Sequence, residues 1–185
     1  MVVRPRCVFL AGPSSAGKTS LARAFQRIAD EPWFFFEGDL FSGGFPRDRS
    51  EFVTLEWDRR VREACARAAV GILKAGLGVI VELGFFDPWG RANVATIFSG
   101  LPAFIVRVHC DPAVLEAREQ ARGDRFQGTA RRQCKQLEGI PSDFDLVSDA
   151  FPPEQLAEEL ASWLASDPVP RAIPHLAAGS PRGSQ

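Results

Sequence analysis

The sequence predicts an α/β fold: an open, mainly parallel β-sheet flanked by helices, with a lid, in one domain over residues 1–167. Three observations predict it. Short apolar runs alternate with helical patterns, two helix starts carry an Asp-Pro signal, and a glycine-rich loop stands between the first run and the first helix.

The strands come first. Residues 6–10, 78–83 and 103–109 are short, β-branched or aromatic and bounded by turn residues, as strands buried on both faces are. "WFFFEG" at 33–38 adds a fourth and "FDLVSD" at 144–149 a short fifth. Helical patterns fill the intervals at 18–30, 52–75, 88–98, 112–122, 130–138 and 153–165. Asp87-Pro88 and Asp111-Pro112 each read as an N-cap followed by proline at the first helical position, where the missing N–H costs nothing. In the helix at 52–75, Val53, Trp57, Val61, Ala64, Ala68 and Ile72 are the expected core-facing stripe. Residues 168–185, "PVPRAIPHLAAGSPRGSQ" after Asp167, are rich in Pro, Gly, Ser and Ala and read as a flexible tail outside the core.

Composition limits the function classes. With 185 residues, 45% hydrophobic and 24% charged, the chain has material for one full core. The 22 Lys+Arg against 23 Asp+Glu leave a net charge of −1, without the cationic field that draws a protein to nucleic acid or an anionic membrane. Cys7, Cys65, Cys110 and Cys134 are scattered, with no CxxC pair, and His109 and His175 are the only histidines, so reduced thiols are expected rather than a metal site. The first apolar run is too short for a signal peptide or a membrane span, and a cytoplasmic protein is expected.

The strongest local signal is "GPSSAGKT". Gly12-Pro13-Ser14-Ser15-Ala16-Gly17-Lys18-Thr19 satisfies G-x-x-x-x-G-K-[ST] in the strand-to-helix setting this motif requires. Backbone N–H groups of such a loop converge on phosphate oxygens, and the first helical turn, with Ser20, adds its unpaired amides and positive dipole end. Lys18 is expected at the β and γ phosphates and Thr19 at Mg2+. The implied cofactors are ATP and Mg2+, although no base-reading segment separates ATP from GTP.

Carboxylates should reach the same sheet edge, because ligands of open α/β sheets sit at the carboxyl ends of the strands. The second strand leads into Glu37-Gly38-Asp39 and the third ends in Glu82. Asp39 is the expected base toward an attacking hydroxyl, with a helix cap or turn as its plain alternative. Glu82 is expected to orient Mg2+, Lys18 and Thr19, or to serve as a structural carboxylate of the loop. Asp87 is a weaker alternative already explained as a cap. Arg118, Arg122 and Arg125 recur at helical spacing around Gly123, which suits a mobile lid whose guanidiniums stabilise a transferring phosphoryl group. The plain alternative is a solvated helix in which Glu116 and Glu119 pair with the arginines. Trp33, Phe34, Phe35, Phe36, Phe41, Phe45, Phe85, Phe86 and Trp89 supply core and an apolar acceptor wall, while Arg47, Arg49, Arg59 and Arg60 keep an anionic acceptor open. The Asn-Lys-x-Asp guanine reader of a small GTPase is missing.

On these residues the chain resembles the chloramphenicol phosphotransferases, which are similar in fold to shikimate and adenylate kinases. The resemblance runs from about Cys7 to Leu164 and rests on "GPSSAGKTS", "EPWFFFEGDLF", "CDPAVLEAREQARGDRFQGTARRQ" and "LEGIPSDFDLVSD". It implies that Asp39 is the catalytic base, that Arg122 and Arg125 contact ATP phosphates, and that the γ phosphate passes to the primary hydroxyl of chloramphenicol. Two departures touch the acceptor. Leu137-Glu138-Gly139 stands where the family has His-Glu-Gly, and "FSGGFPRDRS" is shorter and more basic. Another small-molecule hydroxyl is therefore the alternative acceptor, a nucleotide-dependent regulatory protein is the alternative class, and the oligomeric state is open.

Overall fold

The computed structural model describes residues 5–37, 44, 54–82, 87–122 and 128–176, Arg122 by its backbone alone. Asp39, Arg125, Phe41, Phe45, Arg47, Arg49, Val53, Phe85, Phe86 and the side chain of Arg122, named above, lie outside it.

Five strands, β1 (Cys7–Ala11), β2 (Trp33–Glu37), β3 (Gly78–Glu82), β4 (Ala103–His109) and β5 (Phe144–Val147), form one sheet in the order β2-β3-β1-β4-β5. Every pairing is parallel. The helices are α1 (Lys18–Ile28), α2 (Leu55–Lys74), α3 (Pro88–Ile97), α4 (Pro112–Arg122), α5 (Thr129–Leu137), α6 (Pro153–Ala165) and α7 (Ala172–Leu176). All five residues of β1 are buried, as a central parallel strand covered on both faces must be. Alternation sends Cys7, Phe9 and Ala11 to a core shared with α2, α3 and α7, and Val8 and Leu10 to a core shared with α1 and α6. Phe9 meets Phe98 edge-on at 4.7 Å between ring centroids, closing the first core beneath α3.

The Asp-Pro starts hold: Asp87 accepts from the Gly90 N–H at 2.7 Å and Asp111 from the Ala113 N–H at 2.8 Å. The α2 stripe is corrected. Its buried residues are Cys65, Ala66, Ala69 and Leu73; of the expected stripe, Ala68 and Ile72 pack against this core partly buried, Trp57 and Val61 are partly covered, and Ala64 is exposed. The buried face lies about one residue round from the expected stripe, and three of its four side chains are the small Cys65, Ala66 and Ala69.

The tail expectation is corrected at 172–176, while residues 177–185 lie outside the described residues. Ala172, Ile173 and Leu176 of α7 are buried in the core against β4 and α3, so the packed unit runs past residue 167. Asp143 makes this possible by accepting from the N–H groups of Arg171 at 2.6 Å and Ala172 at 2.9 Å with one carboxylate oxygen, and from Ile105 N–H at 2.8 Å with the other. Arg6 fastens the same region, donating to the Leu164 carbonyl and pairing with Asp167. Asp143→Ala is expected to lower the unfolding free energy by about 1–3 kcal/mol, since it strands buried N–H groups. Urea titration checks the value, and faster proteolysis of the C-terminal segment checks its location.

Among the described residues no helix is long and apolar enough to cross a membrane. All four cysteines are free. Burial pushes the Cys7 thiol far up and the Cys65 thiol to about 12, which keeps both protonated and inert.

Candidate active site

The glycine-rich loop leaves β1 at the carboxyl edge of the sheet and enters α1. Gly12 has no room for a side chain, because a Cβ there would lie 2.8 Å from the Val108 carbonyl oxygen of β4. Gly17 turns the chain in the left-handed region at φ 83° and is the N-cap of α1, with no side-chain cap over it. Ser15 shares that region at φ 63°. The first amides of α1 therefore face the cleft without a protein side chain at the cap, an arrangement suited to an anion.

Lys18 is 8% exposed, and its Nζ donates to the Pro13 carbonyl at 2.8 Å. The same ammonium lies 3.4 Å from Glu82 Oε1, while Thr19 Oγ1 donates to Glu82 Oε2 at 2.9 Å. The structure thus brings together three residues that the sequence singled out from two separate strands' ends. Strand pairing adds a fourth: Glu37 is in register with Glu82, so both carboxylates leave the same edge. A hydroxyl and a carboxylate are hard oxygen donors of the kind Mg2+ takes, alongside water and phosphate oxygens. Among the described residues no cluster of three or more His, Cys, Asp or Glu side chains forms an all-protein metal cage.

A cleft of about 830 Å³ opens over the loop, lined by Gly12, Ser14, Ser15, Gly17, Lys18, Thr19 and Ser20, with Glu37, Glu82, Arg118, Gln133 and the segment from Ser148 to Pro153. Arg118 of α4 bridges its two sides, donating to the Ser15 carbonyl at 3.4 Å and the Ser148 carbonyl at 3.2 Å. The sequence reading gave residues 148–153 no site role, taking them only as the end of the fifth strand and its family stretch and the start of the last helix; they join the site through the pairing of β5 with β4, which sets them beside the loop. Leu137, at the departure from His-Glu-Gly, is 3% exposed and also contributes to the cleft wall.

Glu119 departs from the solvated pairing offered as an alternative. It is 3% exposed and accepts from the N–H groups of Gly128 at 2.8 Å and Ala130 at 3.1 Å. A carboxylate on α4 thus caps α5 from across residues 123–127. Gln133 lies one turn further along α5, and its Oε1 accepts from the Ser14 N–H at 2.5 Å. The one signal the sequence offered is helical spacing: position 133 shares a face with the apolar Ala130 and Leu137, three residues before it and four after, both of which the structure buries.

The expected aromatic wall is redistributed. Phe35 and Phe36 belong to the core, Trp33 packs edge-on against Phe25 at 5.0 Å, and Phe34 is 48% exposed. Trp89 carries the guanidiniums of Arg59 and Arg62 over its ring at 5.4 and 5.2 Å. Arg62 also pairs with Asp87 at 2.8 Å. Burial raises the Asp87 pKa, but the Gly90 N–H and the Arg62 guanidinium outweigh it and hold the carboxyl below its ordinary range. Asp87 is thus engaged as a cap and ion-pair partner. Arg60 faces outward, paired with Glu56 at 2.7 Å.

A five-stranded parallel sheet with this loop after its first strand, and helices on both faces, has the P-loop kinase fold. Solved structures share it. The Mycobacterium tuberculosis APS kinase CysC, in complex with AMPPNP and APS, superposes with a TM-score of 0.67 over 88% of this chain and 98% of its own at 18% identity. Shikimate kinase from Acinetobacter baumannii, in complex with shikimate, does so with a TM-score of 0.63 over 90% and 97% at 13% identity. Residues 5–165 match the model of the chloramphenicol phosphotransferase-like proteins, and the chain belongs to that family. The Mycobacterium tuberculosis protein named "Putative O-phosphotransferase Rv2636" is 30% identical, covering 92% of this chain and 87% of that protein.

Proposed function

We propose that the protein is an ATP-dependent O-phosphotransferase that phosphorylates a hydroxyl of a small, partly apolar molecule, with chloramphenicol as the leading acceptor and antibiotic inactivation or self-resistance as the outcome. The observation that carries this reading is the joint placement of Lys18 and Thr19 on the two oxygens of Glu82, above the loop and at the cleft's floor. Family membership supports the same class of reaction.

In this reading the loop from Gly12 to Ser20 wraps the phosphates, with the N–H groups at the start of α1 as its main donors, and Lys18 neutralises charge between the β and γ groups. Thr19 and Glu82 hold Mg2+, which when bound draws charge from the phosphate oxygens. Asp39, two residues beyond β2, takes the proton of the acceptor hydroxyl as its oxygen forms a bond to the γ phosphorus. The bond from that phosphorus to the β–γ bridging oxygen breaks, and ADP leaves. Arg122 and Arg125 stabilise the transferring group from the lid, while Arg118 holds the loop against the segment that follows β5. Use of ATP, four free thiols and a near-neutral charge accord with a cytoplasmic enzyme acting on a small molecule.

The test is ADP release in the presence of single hydroxyl compounds, chloramphenicol first, with mass spectrometry for one added phosphoryl group. Acceptor-dependent ADP release with a matching mass gain is expected. ATP hydrolysis that ignores every alcohol and responds to a protein partner would overturn the reading.

A further inference from the structure

The phosphate loop is held from outside as well as from within. Pro13 C=O and Ser14 N–H belong to one peptide plane, and a peptide plane turns as a unit. Its carbonyl accepts from Lys18 Nζ at 2.8 Å, and its N–H donates to Gln133 Oε1 at 2.5 Å. Lys18 and Gln133 therefore fix this plane from opposite edges.

The bond from Ser14 also settles the side-chain amide. A backbone N–H can only donate, so the atom facing it is the oxygen, and the Nε2 group keeps its two donors. Among the described residues no protein acceptor takes them, and Gln133 is half-buried in the wall of the cleft beside Ser14 and Lys18. The residue is not free to drift, since the Glu119 carboxylate holds the N–H groups of Gly128 and Ala130 at the start of its helix.

Position along the loop identifies the ligand group. The amides at 17–19 lie at the N-terminus of α1, where the inner phosphates of a triphosphate are cradled, while Ser14 lies four residues earlier, at the peptide on which the Lys18 ammonium rests. We propose that Gln133 Nε2 donates a hydrogen bond to an oxygen of the outermost phosphoryl group, so that α5 contacts the triphosphate but not the diphosphate. The assignment rests on the triphosphate reading of the loop given above.

Calorimetric binding of Mg2+-AMPPNP and Mg2+-ADP to the full chain and to Gln133→Glu and Gln133→Ala tests it without any acceptor. Gln133→Glu keeps the acceptor for Ser14 N–H and replaces only the donor, placing a negative charge where the phosphate oxygen would be. A loss of AMPPNP affinity of about 10-fold or more is expected, from the scale of hydrogen bonds to charged groups, with ADP affinity changed less than about 3-fold. Gln133→Ala should show the same selectivity with a smaller AMPPNP loss, and it decides the matter should the glutamate variant fail to fold by circular dichroism. Equal weakening of both nucleotides, or unchanged AMPPNP affinity, overturns the assignment while leaving the kinase reading in place. A parent protein that binds neither nucleotide overturns both.

Discussion

Lys18→Met is expected to lower kcat/KM for phosphoryl transfer by about 10²- to 10³-fold, the scale of losing one aligned donor to developing charge in an active site. Methionine keeps most of the stem that makes Lys18 only 8% exposed, so the packing beneath the loop survives. What disappears is the ammonium, together with its hydrogen bond to the Pro13 carbonyl and its 3.4 Å approach to Glu82. Steady-state kinetics measures the loss. Thermal unfolding separates it from a general effect: a fall in melting temperature that accounts for the lost activity would assign Lys18 to architecture.

The second large effect is expected at Asp39. Asp39→Asn should leave nucleotide affinity close to that of the parent and reduce transfer by about 10²- to 10⁴-fold, as loss of a general base does. Asparagine keeps the shape and hydrogen-bonding reach of the side chain but cannot take the acceptor proton. The informative comparison is single-turnover transfer beside AMPPNP affinity. Equal transfer rates in variant and parent would remove Asp39 from its role, and a parallel collapse of nucleotide binding would make it a residue of the phosphate site instead. Paired with Lys18→Met, the two variants separate donor handling from acceptor activation.

Legibility in the sequence followed the range of the interactions involved. The spans of α4, α6 and β4 agree with the patterns at 112–122, 153–165 and 103–109 because their determinants are local: Asp111 reaches an N–H two residues away, and β4 is a continuous apolar run between turn signals. The loop from Gly12 to Thr19 was legible for the same reason, since its glycines, lysine and threonine act within eight residues. Glu82 was legible as a strand-end carboxylate, but its contacts with both Lys18 and Thr19 depend on β3 lying beside β1. The face that α2 buries was misjudged by about one residue, three of its four buried side chains being small.

By itself, then, the sequence determined an alternating parallel fold, a glycine-rich strand-to-helix loop and the strand ends at which carboxylates arrive. Tertiary structure alone decided that Glu119 caps a helix across residues 123–127, that Gln133 meets Ser14 119 positions away, and that Asp143 recruits residues 171–176 into the core. The physical reason is the same in each case. A polar group taken wholly or partly out of water needs a partner, and for these three carboxylate or amide oxygens it is a backbone N–H brought close by packing of the sheet and its helices rather than by any short spacing along the chain.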